Sequence, residues 1–322
     1  MATSSPTIPA YKTAFLESCL SANVLTFGTY TLKSGRQSPY FFNAGSFHSA
    51  PLLSAIAQAY AHTIVSFLAA NPSVPKPDVI FGPAYKGIPL ACATLLELHR
   101  LDPETWANVS YSFDRKEVKD HGEGGSIVGA PLKGKNVLVI DDVITAGTAM
   151  RDTLVKVARE GGTVVGFAVA LDREEKMPGP KEKEGIDDGE ARGSAMGQIR
   201  GEFGVRTASI ATLGDLIELL RGKGSEEDVK RMEAYRARYK ASHEGAAVGT
   251  EAIVEAVQRL ERRISRAEEG DLEQILDSCL PRVDDLGRCM EVFVGEERGD
   301  GEVPWVGVEE LVEEGAGVGA GA

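Results

Sequence analysis

The sequence predicts an α/β protein built on a central, mostly parallel sheet that is flanked by helices. Two short apolar runs rich in β-branched residues, 78–81 and 137–140, are typical of strands buried on both faces. Each run leads into a loop of small residues and then into a helical pattern, which is the repeating unit of an α/β sheet. Open sheets of this kind bind ligands at the carboxyl ends of their strands.

The stretch 137–150 carries the most specific chemistry in the chain. Asp141 and Asp142 follow the strand directly, and the small residues 145–148 precede a helix that begins near Ala149. Free N–H groups and the positive end of a helix dipole favour a phosphate here, and the two carboxylates are placed for sugar hydroxyls or a metal. The stretch matches neither common phosphate-binding motif. The structural alternative is a buried strand that ends in an Asp helix cap.

A second loop repeats this arrangement after the strand 78–81. Residues 82–88 contain Tyr85 and Lys86 and lead into a helix through Leu98. Two such loops at one sheet edge could hold the phosphate and the pyrophosphate of a single ligand. The alternative is an ordinary connector with a solvated lysine.

An aromatic segment, 31–43, precedes both loops. Lys33 and Arg36 flank a Gly turn, and Tyr40, Phe41 and Phe42 follow in a predicted strand. A cation beside aromatic faces suits a flat, anionic ring. The alternative is a hairpin with two core Phe residues, which is the usual place of aromatic side chains in strands.

A polar segment, 113–125, shows no apolar periodicity and ends in glycines, which predicts a mobile loop. Such a charge run is often only a solvated surface. Beside a polyphosphate site, however, its cations could close as a lid and neutralise the charge that builds on a leaving pyrophosphate. These cations are Arg115, Lys116, Lys119 and His121.

The remaining patterns complete the predicted domain. The segment 177–193 is rich in Lys, Glu, Gly and Asp and is predicted to be a disordered surface insertion. Helices are predicted over 11–20, 52–68, 215–220 and 225–239, and strands over 109–112, 163–171 and 205–213.

Charge and cysteine usage narrow the functional class. The residues from Ala241 onward carry 20 acidic and 7 basic side chains, so this segment accounts for the whole net charge of -13. The neutral body argues against nucleic-acid binding by bulk charge. Four scattered cysteines indicate a reducing compartment. Without a signal-peptide pattern or an apolar run of 18 residues, we expect a cytoplasmic protein with no membrane partner.

The motifs together resemble the orotate phosphoribosyltransferase family. Their order and spacing are similar over about residues 10–240, and the helix at 232–239 is similar to the terminal helix of fungal members. The resemblance implies a type I phosphoribosyltransferase fold, with a small hood and a flexible lid at 113–126. It also implies transfer of the phosphoribosyl group of 5-phosphoribosyl-1-pyrophosphate (PRPP) to orotate, in pyrimidine biosynthesis. The segments that carry it are 32–43, 81–88, 114–124 and 141–148.

The resemblance also implies residue roles. PRPP contacts are expected from Lys33, Tyr85, Lys86, Arg115, Lys116, Lys119, His121, Asp141, Asp142, Val143, Ile144, Thr145, Ala146, Gly147, Thr148 and Ala149. Orotate contacts are expected from Phe41, Phe42, Thr145 and Arg173, and catalytic roles from Lys86, Lys119, Asp141 and Asp142. Mg²⁺ is expected to bind mainly through PRPP, with Asp141 and Asp142 as candidate ligands. The active form is expected to be a homodimer in which Lys116 reaches the partner's site.

Alternatives remain open for the body and for the C-terminal segment. A PRPP-sensing regulator, or a transferase for another base, would keep the loop 141–148. The Phe41–Phe42 pair and Arg173 favour an anionic pyrimidine. The acidic extension 241–322 shows helical patterns and a low-complexity, disordered end. It could be a tolerated tail, a partner-binding appendage or an error in the gene model. It is too short for a second barrel enzyme.

Overall fold

A computed structural model of the protein describes residues 8–119, 125–144, 147–223 and 225–242. This part of the chain contains eight helices and eight strands. The helices are α1 (Ala10–Ser21), α2 (Ala50–Ala70), α3 (Gly87–Leu101), α4 (Pro103–Trp106), α5 (Thr148–Arg159), α6 (Ala195–Phe203), α7 (Leu213–Lys223) and α8 (Glu226–Tyr239). The strands are β1 (Leu25–Thr31), β2 (Gln37–Phe42), β3 (Val79–Gly82), β4 (Ser110–Lys119), β5 (Gly125–Gly129), β6 (Asn136–Val143), β7 (Thr163–Asp172) and β8 (Arg206–Thr212).

Six strands form the predicted central sheet in the order β5-β4-β3-β6-β7-β8. The pairs β4–β3, β3–β6, β6–β7 and β7–β8 are parallel, and only the edge pair β4–β5 is antiparallel. The α/β class and the mostly parallel sheet predicted from the sequence are therefore confirmed.

Strand β6 is buried on both faces, as its unbroken apolar run predicts. Leu138 and Ile140 belong to one hydrophobic cluster, which also contains residues of α2 and α3. Val137 and Val139 point to the other face and belong to a second cluster with Met150 of α5 and residues of α6. Alternate side chains on a strand point to opposite faces, so one apolar run supplies both cores. Polar residues are then confined to the end of the strand, where Asp141 and Asp142 lie.

Helix α2 is long and apolar enough to cross a membrane by length and composition alone. Eight of its residues, among them Ile56, Tyr60, Ile64 and Phe67, are buried within the fold. The helix contacts α3, β7 and β8. We interpret it as a core helix, because burial against the sheet accounts for its apolar composition.

A two-stranded antiparallel hairpin of β1 and β2 forms the small hood expected from the resemblance. Helix α1 packs on β1, and α8 packs on β2. The rings of Tyr40 on β2 and Tyr235 on α8 meet edge to face, with centroids 6.4 Å apart. The Ser225 hydroxyl accepts a hydrogen bond from the Asp228 N–H and caps α8.

The segment 177–193 contradicts the prediction of a disordered insertion. Its 3-10 turn, Glu182–Glu184, places the Glu182 side chain in the interior with 4% exposure. Lys176 binds Asp187, and Arg192 binds Asp188 within the same segment. Composition alone predicted disorder because the segment has few apolar residues. Its charged side chains instead find partners, some of them far away in the sequence, such as Arg36 for Glu182, which a local pattern cannot reveal.

The segment predicted as a lid begins as regular structure. Residues 113–119 continue β4, and β5 returns beside it in antiparallel register. Residues 113–119 therefore form a strand rather than an irregular loop, and their part in a lid stays a prediction. Residues 120–124, which include His121, lie outside the described residues, as does the acidic extension from residue 243 onward. The lid and the extension stay predictions there.

We expect Tyr60→Phe to lower the free energy of unfolding by about 1 kcal/mol, because it leaves a buried acceptor without its donor. The Tyr60 hydroxyl donates to the backbone carbonyl of Asp141 at 2.7 Å, and the side chain is fully buried. Urea unfolding monitored by circular dichroism measures the difference. Tyr85→Phe is the matched control, because Tyr85 is 67% exposed. Equal stability of Tyr60→Phe and the wild type would contradict this bond's contribution.

Candidate active site

A cavity of about 400 Å³ lies at the carboxyl ends of β6 and β7. The hairpin turn, the start of α5 and the segment 177–196 complete its wall. Ligands of open α/β sheets bind at this edge, so the cavity is the candidate active site. The predicted site residues that line it are Lys33, Asp141, Val143, Ile144, Gly147, Ala149 and Arg173.

The start of α5, after strand β6, offers backbone groups that suit an anion. Gly147 precedes α5 with a φ of +74°, a left-handed conformation that glycine adopts without strain. The first N–H groups of α5 have no partners within the helix and point toward its N-terminal end. Thr145 and Ala146 lie outside the described residues, as does the side chain of Thr148. Their predicted contacts stay predictions.

Asp141 occupies an electrostatically unfavourable position. Desolvation, followed by the negative charge of Asp142, raises the pKa of Asp141 to about 6. The Asp142 N–H donates to an Asp141 oxygen at 2.9 Å and opposes this rise only in part. A carboxylate whose ionised form is only partly compensated is suited to bind ligand hydroxyls or stabilise positive charge on a bound molecule.

Asp142 connects the cavity with the second predicted loop. The Lys86 ammonium lies 2.6 Å from a carboxylate oxygen of Asp142, and Lys86 is more than half exposed. Gly82 and Gly87 allow β3 to pass close to α3, since a Cβ at Gly82 would lie 2.1 Å from the Gly87 carbonyl oxygen. The structure thus brings together the two loops that the sequence placed at one edge.

The second loop is also tied to the lid strand. Asp114 on β4 is buried and accepts hydrogen bonds from the Ala84 N–H at 2.6 Å and from the Lys156 ammonium at 2.5 Å. The exposed Tyr85 ring lies 4.9 Å from the Lys116 ammonium. Lys116, one of the predicted lid cations, therefore lies beside the second loop. The side chain of Lys119 is outside the described part of the structure.

The two phenylalanines do not form one stacking surface. Phe42 is buried against Phe15 and Phe47, whereas Phe41 is 42% exposed and packs beside Tyr30. The structure separates them because neighbouring residues on a strand point to opposite faces. Neither side chain lines the cavity. The core-hairpin alternative describes Phe42 correctly, and the predicted orotate contacts of this pair stay predictions.

Arg173 lies in the cavity wall, within a network that we name the Arg/Glu cluster (Arg36, Arg173, Glu175 and Glu182). The Nε of Arg173 donates to Glu175 at 2.7 Å, and Nη2 donates to the Ser38 hydroxyl at 3.0 Å. The guanidinium also stacks on Tyr40, 4.3 Å from the ring centroid. These contacts fix the guanidinium in orientation, which a bidentate bond to a carboxylate requires.

The contact between Arg36 and Glu182 forms the other part of the Arg/Glu cluster, and the sequence did not predict it. Arg36 donates from Nε and Nη2 to the two oxygens of Glu182, both at 2.9 Å, and from Nη1 to Glu175 at 3.2 Å. Burial alone would raise the pKa of Glu182, but hydrogen bonds from Arg36 and the Gly179 N–H hold that pKa below its usual value. Arg36 was visible as a cation beside the Gly turn. No sequence signal marked Glu182 as its partner.

Comparisons with known proteins agree with this geometry. Residues 54–188 match the model of the family "Phosphoribosyl transferase domain". The fold, the loop after β6 and this match define the chain as a phosphoribosyltransferase.

Curated relatives narrow the class. The orotate phosphoribosyltransferase of Neurospora crassa is 54% identical over 232 residues, which are 72% of this chain and 97% of the relative. That of Kluyveromyces lactis is 45% identical, over 72% of this chain and 96% of the relative. The crystal structure of the Francisella tularensis orotate phosphoribosyltransferase is 36% identical, with a TM-score of 0.58, and covers 70% of this chain and 99% of its own. This chain belongs to the orotate phosphoribosyltransferase family.

We expect Asp141→Asn to stabilise the unliganded protein at pH 8, by about 1–3 kcal/mol. The pKa of Asp141 is raised in the folded state, so its ionised form destabilises the fold above pH 6, and the effect vanishes once both states are protonated. The gain over the wild type should therefore shrink as the pH falls from 8 to 4. Urea titrations at both pH values measure it.

Asp188→Asn is the control, because the pKa of Asp188 is shifted in the direction opposite to that of Asp141. The hydrogen bond from Arg192 lowers the pKa of Asp188 to about 2, so its removal should give no gain in stability at pH 8. A destabilised Asp141→Asn variant at pH 8 would show that the carboxylate is favourable where it lies.

Proposed function

We propose that this protein is an orotate phosphoribosyltransferase, which transfers the phosphoribosyl group of PRPP to orotate in pyrimidine biosynthesis. Orotidine 5′-monophosphate and pyrophosphate are the products. One observation carries the proposal: Asp141 and the loop before α5 share a single cavity with the oriented guanidinium of Arg173. Loop and carboxylate suit a ribose phosphate, and Arg173 suits the carboxylate that distinguishes orotate from uracil.

The mechanism needs positioning and electrostatics rather than a nucleophilic side chain. A ring nitrogen of orotate forms the new bond to the anomeric carbon as the bond to pyrophosphate breaks. Positive charge develops on the ribose, as in other glycosyl transfers. Asp141 and Asp142 bind the ribose hydroxyls and stabilise that charge. Lys86, and Lys119 from the lid, neutralise charge on the departing pyrophosphate.

We propose Mg²⁺ as the cofactor. Asp141 lines the cavity and Asp142 is its neighbour in the chain, so both could supply oxygen donors, and Mg²⁺ typically uses one or two carboxylates together with substrate phosphates. When bound, the ion contributes positive charge to the pyrophosphate. Within the described residues, no group of three or more His, Cys, Asp or Glu side chains could hold a metal.

We further propose a homodimer with shared sites in the cytoplasm. Lys116 is exposed on the strand that leads into the lid, beside the Tyr85 ring of the second loop, so a neighbouring subunit could receive it. Cys19 and Cys92 are free thiols, as a reducing compartment would keep them.

The proposed activity predicts pyrophosphate release from PRPP that depends on both orotate and Mg²⁺. Uracil should not replace orotate, because it lacks the carboxylate that Arg173 binds. A coupled pyrophosphate assay on the full chain, with and without a chelator, measures this release. The same assay on the chain ending at Ser242 tests whether the acidic extension is needed.

Two outcomes would contradict the proposed activity. PRPP binding without turnover of orotate would favour the PRPP-sensing regulator. Turnover with another base instead would replace the substrate assignment.

Sharing of sites predicts that two inactive variants complement each other. In a mixed dimer of Lys116→Ala and Asp141→Asn, one site receives an intact Lys116 and an intact Asp141. Random subunit exchange should then recover about a quarter of wild-type activity. Steady-state assays after joint unfolding and refolding measure the recovery.

Asp141→Asn mixed with Arg173→Ala is the matched control. Both residues belong to the same chain's cavity, so every mixed dimer retains one defect in each site. Recovery in this control, or no recovery with Lys116→Ala, would contradict the exchange of Lys116 between subunits.

A further inference from the structure

We propose that Glu182 is a positioning residue for orotate, which acts on Arg173 through Arg36 and Glu175. This inference rests on the proposed function, since it assumes that Arg173 binds the orotate carboxylate. Glu182 lies in the segment 177–193, whose composition predicts no role. Its carboxylate nevertheless binds Arg36, which also contacts Glu175, the carboxylate that binds Arg173.

Glu182 is built into the hood rather than resting on its surface. The side chain is 4% exposed, its two oxygens bind Arg36, and one of them also accepts the Gly179 N–H at 2.9 Å. The backbone fits as closely, because a Cβ on Gly35 would lie 2.4 Å from the Glu182 carbonyl oxygen. Gly35 and Arg36 belong to the hairpin turn, whose neighbour Lys33 lines the cavity. The segment thereby holds one wall of the site.

Glu175 is the element through which Glu182 reaches Arg173. One Glu175 oxygen accepts from Arg173 at 2.7 Å and from the Tyr235 hydroxyl at 2.9 Å, and the other accepts from Arg36 at 3.2 Å. Arg36 makes its shorter, bidentate contact with Glu182. Glu182 therefore satisfies Arg36 and leaves Glu175 available to orient Arg173.

Loss of Glu182 has two opposing consequences for orotate. The Arg/Glu cluster would gain net positive charge, which by itself attracts the orotate anion and lowers its KM. Arg36 would also have Glu175 as its remaining carboxylate partner in the cluster and would draw it from Arg173. We expect the second effect to dominate, because a bidentate carboxylate contact depends on the orientation of the guanidinium. The sign of the change in KM therefore separates positioning from simple charge.

The kinetic test compares Glu182→Gln, Glu182→Ala and the conservative Glu182→Asp with the wild type. The Gln and Ala variants should raise the KM for orotate about tenfold, with kcat and the KM for PRPP within about twofold. Glu182→Asp should recover part of the loss. Asp188→Asn, which breaks an exposed ion pair in the same segment, should leave all three constants unchanged. An unchanged or lowered orotate KM, or equal rises in both KM values, would overturn the inference.

A double variant separates positioning from general destabilisation. Lysine has no planar guanidinium for Glu182 to orient. In an Arg173→Lys background, Glu182→Ala should therefore change the orotate KM less than about twofold. Independent, additive effects would overturn the inference. Ile56→Val in α2 changes a buried core residue that does not line the cavity, so it should lower stability and leave the orotate KM unchanged.

A spectroscopic measurement keeps the test independent of activity. The Arg173 Nε–H resonance in ¹⁵N–¹H spectra, assigned by its loss in Arg173→Lys, should shift or broaden in Glu182→Gln but not in Asp188→Asn. An unperturbed resonance would overturn the proposed relay. The two proposals can also fail separately. If the wild-type protein shows no orotate-dependent turnover, but Glu182→Gln still perturbs the Arg173 resonance, the substrate assignment is refuted and the relay from Glu182 to Arg173 stands.

Discussion

Burial of β6 on both faces is the constraint from which the site follows. Val137 and Val139 fill one core, and Leu138 and Ile140 fill the other, so no polar side chain is accommodated along the middle of the strand. Past this apolar run, polar side chains begin only near the carboxyl end of the strand, at Asp141, which still pairs with β7. The parallel neighbours β3 and β7 end at the same edge, and their following residues meet there for the same reason. Arg173 thus lines the cavity, and the second loop reaches the same sheet edge through the contact of Lys86 with Asp142, without any direct sequence relation between them.

The same constraint makes the site electrostatically expensive in the absence of ligand. Asp141 is only partly solvated and lies beside Asp142, so burial and like charge both oppose its ionisation. Asp142 has the Lys86 ammonium as a partner, whereas Asp141 is stabilised chiefly by a backbone N–H. A carboxylate in this condition gains more from ligand hydroxyls or developing positive charge than a fully solvated one would. The burial of Asp141 and its proximity to Asp142 therefore both lower the stability of the unliganded fold and favour the binding of a ligand.

The sequence predicts what local patterns encode and misses what depends on distant partners. The strands around 78–81 and 137–140 and the helices that follow were predictable, because their apolar periodicity reflects the environment of each element. The tight turns at Gly82 and Gly147 were also predictable, because small residues directly after a strand are a local signal of a turn. The burial of Phe42 and the exposure of Phe41 could not be predicted, because strand alternation alone does not say which of two aromatic residues faces the core. The contacts of Glu182 could not be predicted, because its partner Arg36 lies 146 residues away along the chain.

The order of the segment 177–193 follows from how its ends are held. Lys176 pairs with Ser194 in a β-bridge, and the Met177 N–H donates to the Gly193 carbonyl, so the segment leaves and rejoins the fold at adjacent points. Closing a loop whose ends are already adjacent requires little further loss of chain entropy. A few charged contacts can then fix an otherwise polar segment. A buried pair such as Glu182–Arg36 contributes little net stability once desolvation is counted, but it restricts geometry strongly, because any arrangement that separates the two leaves a buried charge unpaired. The pair is therefore better suited to hold a binding residue in orientation than to stabilise the fold.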